Sequence, residues 1–155
     1  MRILGAVMDP EVPVISVVEL GVVRRVEVDG SRVTVTVTPT YSGCPAMHVI
    51  EDDIRAALSA HGWDEVDVVT VYSPAWTTDW IGTEAREKLR EFGIAPPGRA
   101  EDGGLITLTR RRPPVACPYC GSGNTELRSE FGSTACKAIH VCNACLEPFD
   151  EFKAI

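Results

Sequence analysis

The sequence predicts an α+β protein: a small sheet with helices on one face, followed by a compact C-terminal module organised by cysteines. Three observations carry that prediction. Arg32 to Thr38 alternates Val33, Val35 and Val37 against Thr34, Thr36 and Thr38, the period of two of a strand with one buried face. Met47, Ile50, Ile54 and Leu58 recur at spacings of three and four, the apolar stripe of a core-facing helix. Cys117-Pro118-Tyr119-Cys120 and Cys142-Asn143-Ala144-Cys145 are paired-thiol motifs separated by 21 residues, the pattern of a zinc-ribbon-like module.

Taken in chain order, residues 2–8 have room for one or two helical turns, stopped by the two prolines of Asp9-Pro10-Glu11-Val12-Pro13. Val22 to Val28 reads as a strand, and Asp29-Gly30 as the two-residue turn into Arg32 to Thr38. After the loop Pro39-Thr40-Tyr41-Ser42-Gly43-Cys44, Pro45 suits the first position of a helix that Gly62 ends. Val66 to Tyr72 is a third strand. Thr77-Thr78-Asp79 offers N-caps for a second helix reaching Phe92, terminated by Gly93. Leu105 to Leu108 is one more short strand. Helix, strand, strand, helix, strand, helix is the order of helices layered on one sheet.

Composition narrows the function. The 155 residues carry 15 basic and 22 acidic side chains, for a net charge of −7. Phosphate-backbone binding is carried by excess Lys and Arg, so nucleic acid is not the expected partner. No apolar run is long enough to cross a bilayer and Met1 leads into no secretory signal, which predicts a cytoplasmic protein without membrane contact. Residues 1–109 hold 9 basic and 17 acidic side chains, residues 110–155 hold 6 and 5. With the Gly/Pro-rich stretch Ile94 to Gly104 and the turn Arg110 to Pro114, that shift predicts a main domain over 1–109 and a cysteine domain over 113–155. The second piece is too short for a self-sufficient core, so a metal cross-link is expected there.

Five of the six cysteines crowd the tail. Cys117, Cys120, Cys142 and Cys145 are the predicted ligands of a structural Zn²⁺, whose binding supplies folding free energy. A rubredoxin-like iron site shares the spacing. Cys-Pro-Tyr-Cys is also a glutaredoxin-type redox pair, but the Gly121-Ser122-Gly123 that follows breaks the long helix such a pair needs. Cytosolic thiols are kept reduced, which disfavours disulfides. Cys136 and His140 are read as neighbours of the metal, not ligands. Cys44 is a different case. A thiol at a helix start has its pKa lowered by free N–H groups and the helix dipole, making it a candidate nucleophile or metal ligand. His48 lies one turn on, so a Cys–His pair is geometrically open. The bland alternatives are a half-buried thiol and a surface imidazole. Asp9-Pro10-Glu11 reads as a capping turn before it reads as an acid/base pair. Trp76 and Trp80, flanking Asp79, read as packing or partner contacts.

Asp9-Pro10-Glu11-Val12-Pro13, Glu19-Leu20-Gly21-Val22-Val23 and Val35 to Pro45 together resemble the metal–sulfur cluster biosynthesis (SufT-like) family. Phe131-Gly132-Ser133-Thr134-Ala135-Cys136-Lys137-Ala138 and Glu147-Pro148-Phe149-Asp150-Glu151-Phe152-Lys153 resemble the PaaD family, components of bacterial ring-1,2-phenylacetyl-CoA epoxidase systems. The one departure is the short segment before Asp9, where the family carries a longer leading helix. The resemblance implies an accessory subunit in aerobic phenylacetate breakdown, with Cys44 handling transient iron or an iron–sulfur cluster. Its partners would be the reductase or the oxygenase of that system, and a homodimer sharing one cluster through Cys44 is compatible with it. The chain carries no Glu-x-x-His di-iron motif and no dinucleotide fingerprint. It is therefore expected to be neither of those catalytic partners. The alternatives are a non-catalytic structural or coupling subunit, and a stand-alone enzyme using Cys44 with His48.

Overall fold

The computed structural model describes residues 1–98 and 114–155. They form two compact units, Met1–Ala85 and Arg86–Ile155. The predicted strand at Leu105 to Leu108 and the boundary at 109/113 fall on residues 99–113 and lie outside the described ones.

In the first unit, β1 (Val23–Asp29) and β2 (Arg32–Val37) form an antiparallel hairpin. β3 (Glu65–Thr70) runs parallel to β2 on its other side, reached through α1 (Met47–Ser59), so the sheet order is β1-β2-β3. Asp29 pairs with Arg32, which makes Gly30-Ser31 the turn in place of the predicted Asp29-Gly30. Gly30 alone there has a positive φ, 59°, the pattern of a turn that needs glycine only at its first central position. The shift leaves the pleat intact. Val33, Val35 and Val37 are all buried, facing the side on which Ile50, Ile54 and Leu58 of α1 are also buried. α1 packs on β3, and Thr70 Oγ1 donates to Glu51 Oε1 at 2.9 Å to fasten helix to strand.

Two elements differ from expectation. α1 begins at Met47, with Ala46 at its N-cap and no side-chain cap, so Pro45 lies in the approach turn and not in the first turn. The chain at 77–92 is not one helix. Thr77 Oγ1 accepts from the Asp79 N–H, as an N-cap does, but the turn it caps is only Thr78–Trp80. Ile81 is extended and Gly82 follows, so α2 restarts at Thr83 and ends at Glu91. The leading segment is a single 3-10 turn, Leu4–Ala6, with Leu4 buried.

The second unit holds a four-stranded sheet in the order β4-β7-β6-β5. β5 (Thr125–Ser129) and β6 (Lys137–Cys142) form an antiparallel hairpin in the stretch between the two cysteine pairs. β7 (Pro148–Phe152) adds antiparallel to β6, and β4 (Ile94–Ala95) pairs parallel with β7. Ile94 and Ala95, read as linker from their Gly/Pro-rich context, are strand residues and buried. Their partner strand is contributed by residues more than fifty positions away, which no local signal reveals.

Candidate metal centre and the Cys44 loop

Each cysteine pair of the tail sits in the same backbone turn. Cys117 N–H donates to Ser122 O at 2.9 Å and Gly121 N–H to Cys117 O at 2.9 Å. In the second turn, Cys142 N–H donates to Glu147 O at 3.0 Å and Leu146 N–H to Cys142 O at 2.9 Å. Gly121 and Leu146 therefore hold equivalent positions, and both are left-handed, with φ of 74° and 64°. The duplicated turn brings the sulfurs together. All four lie within 4.8 Å of one another; Cys117 Sγ is 3.7 Å from Cys145 Sγ, and Cys120 Sγ 3.6 Å from Cys142 Sγ. Thiolates about 2.3 Å from a tetrahedral Zn²⁺ stand about 3.8 Å apart, so these spacings fit such an ion.

As free thiols Cys142, Cys145 and Cys120 are shifted in different directions. The Cys145 N–H, assisted by that of Ala144, holds the Cys142 thiol down to about 6. Cys145 is pushed up to about 12: the Glu147 N–H works against the rise, and burial with the Cys142, Cys120 and Cys117 sulfurs outweighs it. Cys120 is also raised, with the Ser122 N–H opposing and the Cys142 hydrogen bond driving the shift. Crowded sulfurs cannot all carry charge without a cation among them. With four protein donors a tetrahedral ion has no open position, so the chemistry available is cross-linking and not Lewis-acid catalysis.

Cys136 is outside this group. It is buried, with its sulfur 3.1 Å from Thr134 Oγ1. His140 is also buried; Nε2 lies 2.8 Å from Glu151 Oε2, and the ring stacks on Phe149 at 5.5 Å. Phe149 packs in turn with Cys117 and Cys142. His140 thus reaches the scaffold of the centre through Phe149. Cys136 does not lie beside the metal site as the sequence suggested: it precedes β6, a strand length of about 20 Å from Cys142 at the strand's other end.

Cys44 lies in the first unit, in the loop between β2 and α1, and is half-buried. The expectation of a lowered thiol pKa is overturned. Burial raises it above the ordinary value and outweighs the hydrogen bonds from the Ala46 N–H and the Thr40 hydroxyl; the Glu11 and Asp9 carboxylates raise it further. The helix starts three residues beyond Cys44, so its dipole does little there. His48 is exposed, and among the described residues no hydrogen bond joins it to Cys44. The Asp9-Pro10-Glu11 turn reads from sequence as a cap before it reads as an acid/base pair. No helix follows it to be capped; Asp9 Oδ1 instead closes the turn itself, accepting from the N–H groups of Glu11 and Val12, both at 2.8 Å, while Asp9 N–H donates to Ile15 O at 2.9 Å. It also places two carboxylates in the electrostatic reach of a thiol more than thirty residues away. Spacing within the turn held no hint of that.

Trp76 and Trp80 are packing residues. Trp76 is buried and donates from Nε1 to Leu20 O at 3.0 Å, and the Arg24 guanidinium lies 3.4 Å over the Trp80 ring.

Comparison with known proteins finds relatives for both parts of the chain. The family model of an iron-sulfur cluster assembly protein matches residues 1–71, and that of the PaaD zinc beta ribbon domain matches residues 101–153. Over 153 residues the chain is 48% identical to an Escherichia coli K12 protein named as a component of 1,2-phenylacetyl-CoA epoxidase, covering 99% of this chain and 90% of that one. The chain belongs to the PaaD family. The first unit alone has wider kin. An Fe-S protein maturation auxiliary factor of Porphyromonas gingivalis is 39% identical over 57% of this chain and 86% of its own. A crystal structure of a domain of unknown function (DUF59) from Bacillus anthracis superposes with a TM-score of 0.54 at 32% identity, over 57% of this chain and 85% of that one. The PaaD family thus joins this α+β domain to a four-cysteine tail. Among the described residues, no helix is long and apolar enough to cross a membrane.

Proposed function

We propose that the chain is a non-catalytic maturation subunit of a phenylacetyl-CoA epoxidase system, which receives iron or an iron–sulfur cluster at Cys44 and passes it to the reductase or the oxygenase. Zn²⁺ held by Cys117, Cys120, Cys142 and Cys145 would be resident and structural. The observation that carries this reading is the setting of Cys44: a half-buried thiol under the influence of the Glu11 and Asp9 carboxylates. Negative charge there disfavours a bare thiolate and favours one paired with a cation, which suits a residue that holds metal as cargo and not one that acts as a free nucleophile. The relatives' names, an epoxidase component and Fe-S maturation auxiliary factors, point the same way. The exposed position of His48 removes the support for a Cys–His enzyme. The coupling-subunit reading rests on the acidic main domain and on the aromatic segment Trp76 to Trp80, and burial of Trp76 weakens the second of these grounds.

The test is a count of zinc, iron and acid-labile sulfide per chain on protein purified without oxygen, from wild type and Cys44→Ser. One zinc in both, with iron and sulfide present only in wild type, is the expected result. Full epoxidase activity and normal iron loading in cells carrying Cys44→Ser would defeat the proposal.

A further inference from the structure

We propose that Cys120 is an oxidant-entry point of the four-cysteine centre: hydrogen peroxide oxidises Cys120, Cys142 closes a disulfide onto it, and the metal is released. The inference rests on the zinc reading of that centre and adds to it a site of modification.

The four sulfurs are not equally protected. Cys117 and Cys142 are 2% and 0% exposed, packed in one cluster with Ala95 and Phe149, and Val115 and Cys145 lie against it. Cys120 is exposed. A small oxidant therefore meets the centre from the Cys120 side. The Cys120 sulfur lies 3.6 Å from that of Cys142. A disulfide needs about 2.0 Å, a closure of roughly 1.6 Å. Cys120, in an exposed turn, can supply that movement without opening the cluster that holds Cys142. The other cysteines compete poorly: Cys136 is 4% exposed and in contact with Thr134, and Cys44 is half-buried.

The chemistry balances with peroxide as the only co-reactant. The Cys120 thiolate attacks one peroxide oxygen, the O–O bond breaks, and a sulfenic acid and hydroxide form. The Cys142 thiolate then attacks the Cys120 sulfur, the S–O bond breaks, and a second hydroxide leaves. Two thiolates have lost two electrons and one peroxide has gained them. The ion keeps only two thiolate ligands, Cys117 and Cys145, and departs as Zn²⁺.

The experiment uses the full chain loaded with zinc, its metal content counted before any oxidant is added. Pulsed alkylation of that protein should label Cys120 at least tenfold faster than Cys117 or Cys142. Hydrogen peroxide should then release zinc to a chromogenic chelator in step with a Cys120–Cys142 cross-linked peptide, reversibly on dithiothreitol and zinc, and Cys136→Ser should behave as wild type. Equal labelling of the four cysteines, a first linkage between Cys117 and Cys145, or zinc release without the Cys120–Cys142 linkage would overturn the proposal alone. A starting count of iron in place of zinc would defeat the zinc reading and the proposal with it.

Discussion

Leu146 and Gly121 occupy the same position in two copies of one turn, yet only one is a glycine. A left-handed backbone costs a residue with a Cβ about 1–2 kcal/mol, part of which glycine gives back as unfolded-chain entropy. Leu146→Gly should therefore stabilise the metal-loaded protein by about 0.5–1 kcal/mol, and Gly121→Ala should destabilise it by a similar amount, both read from denaturant midpoints. Cys44 makes the second prediction at this scale. Its thiol pKa is raised, so the folded protein favours the neutral form: that contribution to stability is complete below the ordinary thiol range and is lost as pH rises above that range through the raised folded-state pKa. Alkylation of Cys44 should accordingly accelerate at higher pH than for a free cysteine, and Glu11→Gln should move the profile towards lower pH. An unchanged profile in Glu11→Gln would show that burial alone sets the shift. The residue types at both sites were legible in the sequence, but the sign of the Cys44 shift was not. It depends on burial and on carboxylates brought in from a distant turn.

The elements show where periodicity succeeds and where it stops. The α1 stripe of Met47, Ile50, Ile54 and Leu58 is buried, while Val49 on the same helix is 48% exposed. Ile54→Ala should cost about 2–5 kcal/mol by leaving a cavity under the sheet. Val49→Ala should change stability by less than about 0.5 kcal/mol. Equal losses in thermal or chemical unfolding would mean the helix is packed on a different face. The hairpin β1–β2 was legible because its valines alternate, even though the turn shifts by one residue to Gly30-Ser31. The break between Thr78–Trp80 and α2 was not. Helical composition continues across it, but Ile81 is extended. β4 escaped because two residues carry no period; only its pairing with β7 makes it a strand.

At the scale of the molecule, the two units have different sources of stability. The first buries aliphatic side chains from β2, α1 and the segment from Leu4 to Val22. The second packs Ala95, Cys117, Cys142 and Phe149 around sulfurs that repel one another as thiolates unless a cation joins them. Metal binding there should be folding free energy. Removing the metal with a strong chelator should abolish hydrogen-exchange protection over residues 114–155 and leave that of residues 1–85 within a few-fold of the loaded protein. Retained protection in the tail would show that its apolar cluster suffices alone. Cys120 and Cys145, raised as free thiols, must give up protons when the ion enters, so affinity should fall as pH falls.

By itself the sequence determined the α+β class, the alternating and helical core faces, and the two cysteine pairs whose spacing allows four sulfurs to converge. These are local patterns, set by the 3.6 and 2.0 residue periods and by turns of a few residues. Only the tertiary structure decided what faces what. It brought the Asp9 and Glu11 carboxylates into electrostatic reach of Cys44, left His48 in solvent, buried His140 against Phe149 and Cys136 at the far end of β6, and exposed Cys120 alone among the tail cysteines. Burial and through-space charge sum over residues far apart in the chain, and no local window contains them.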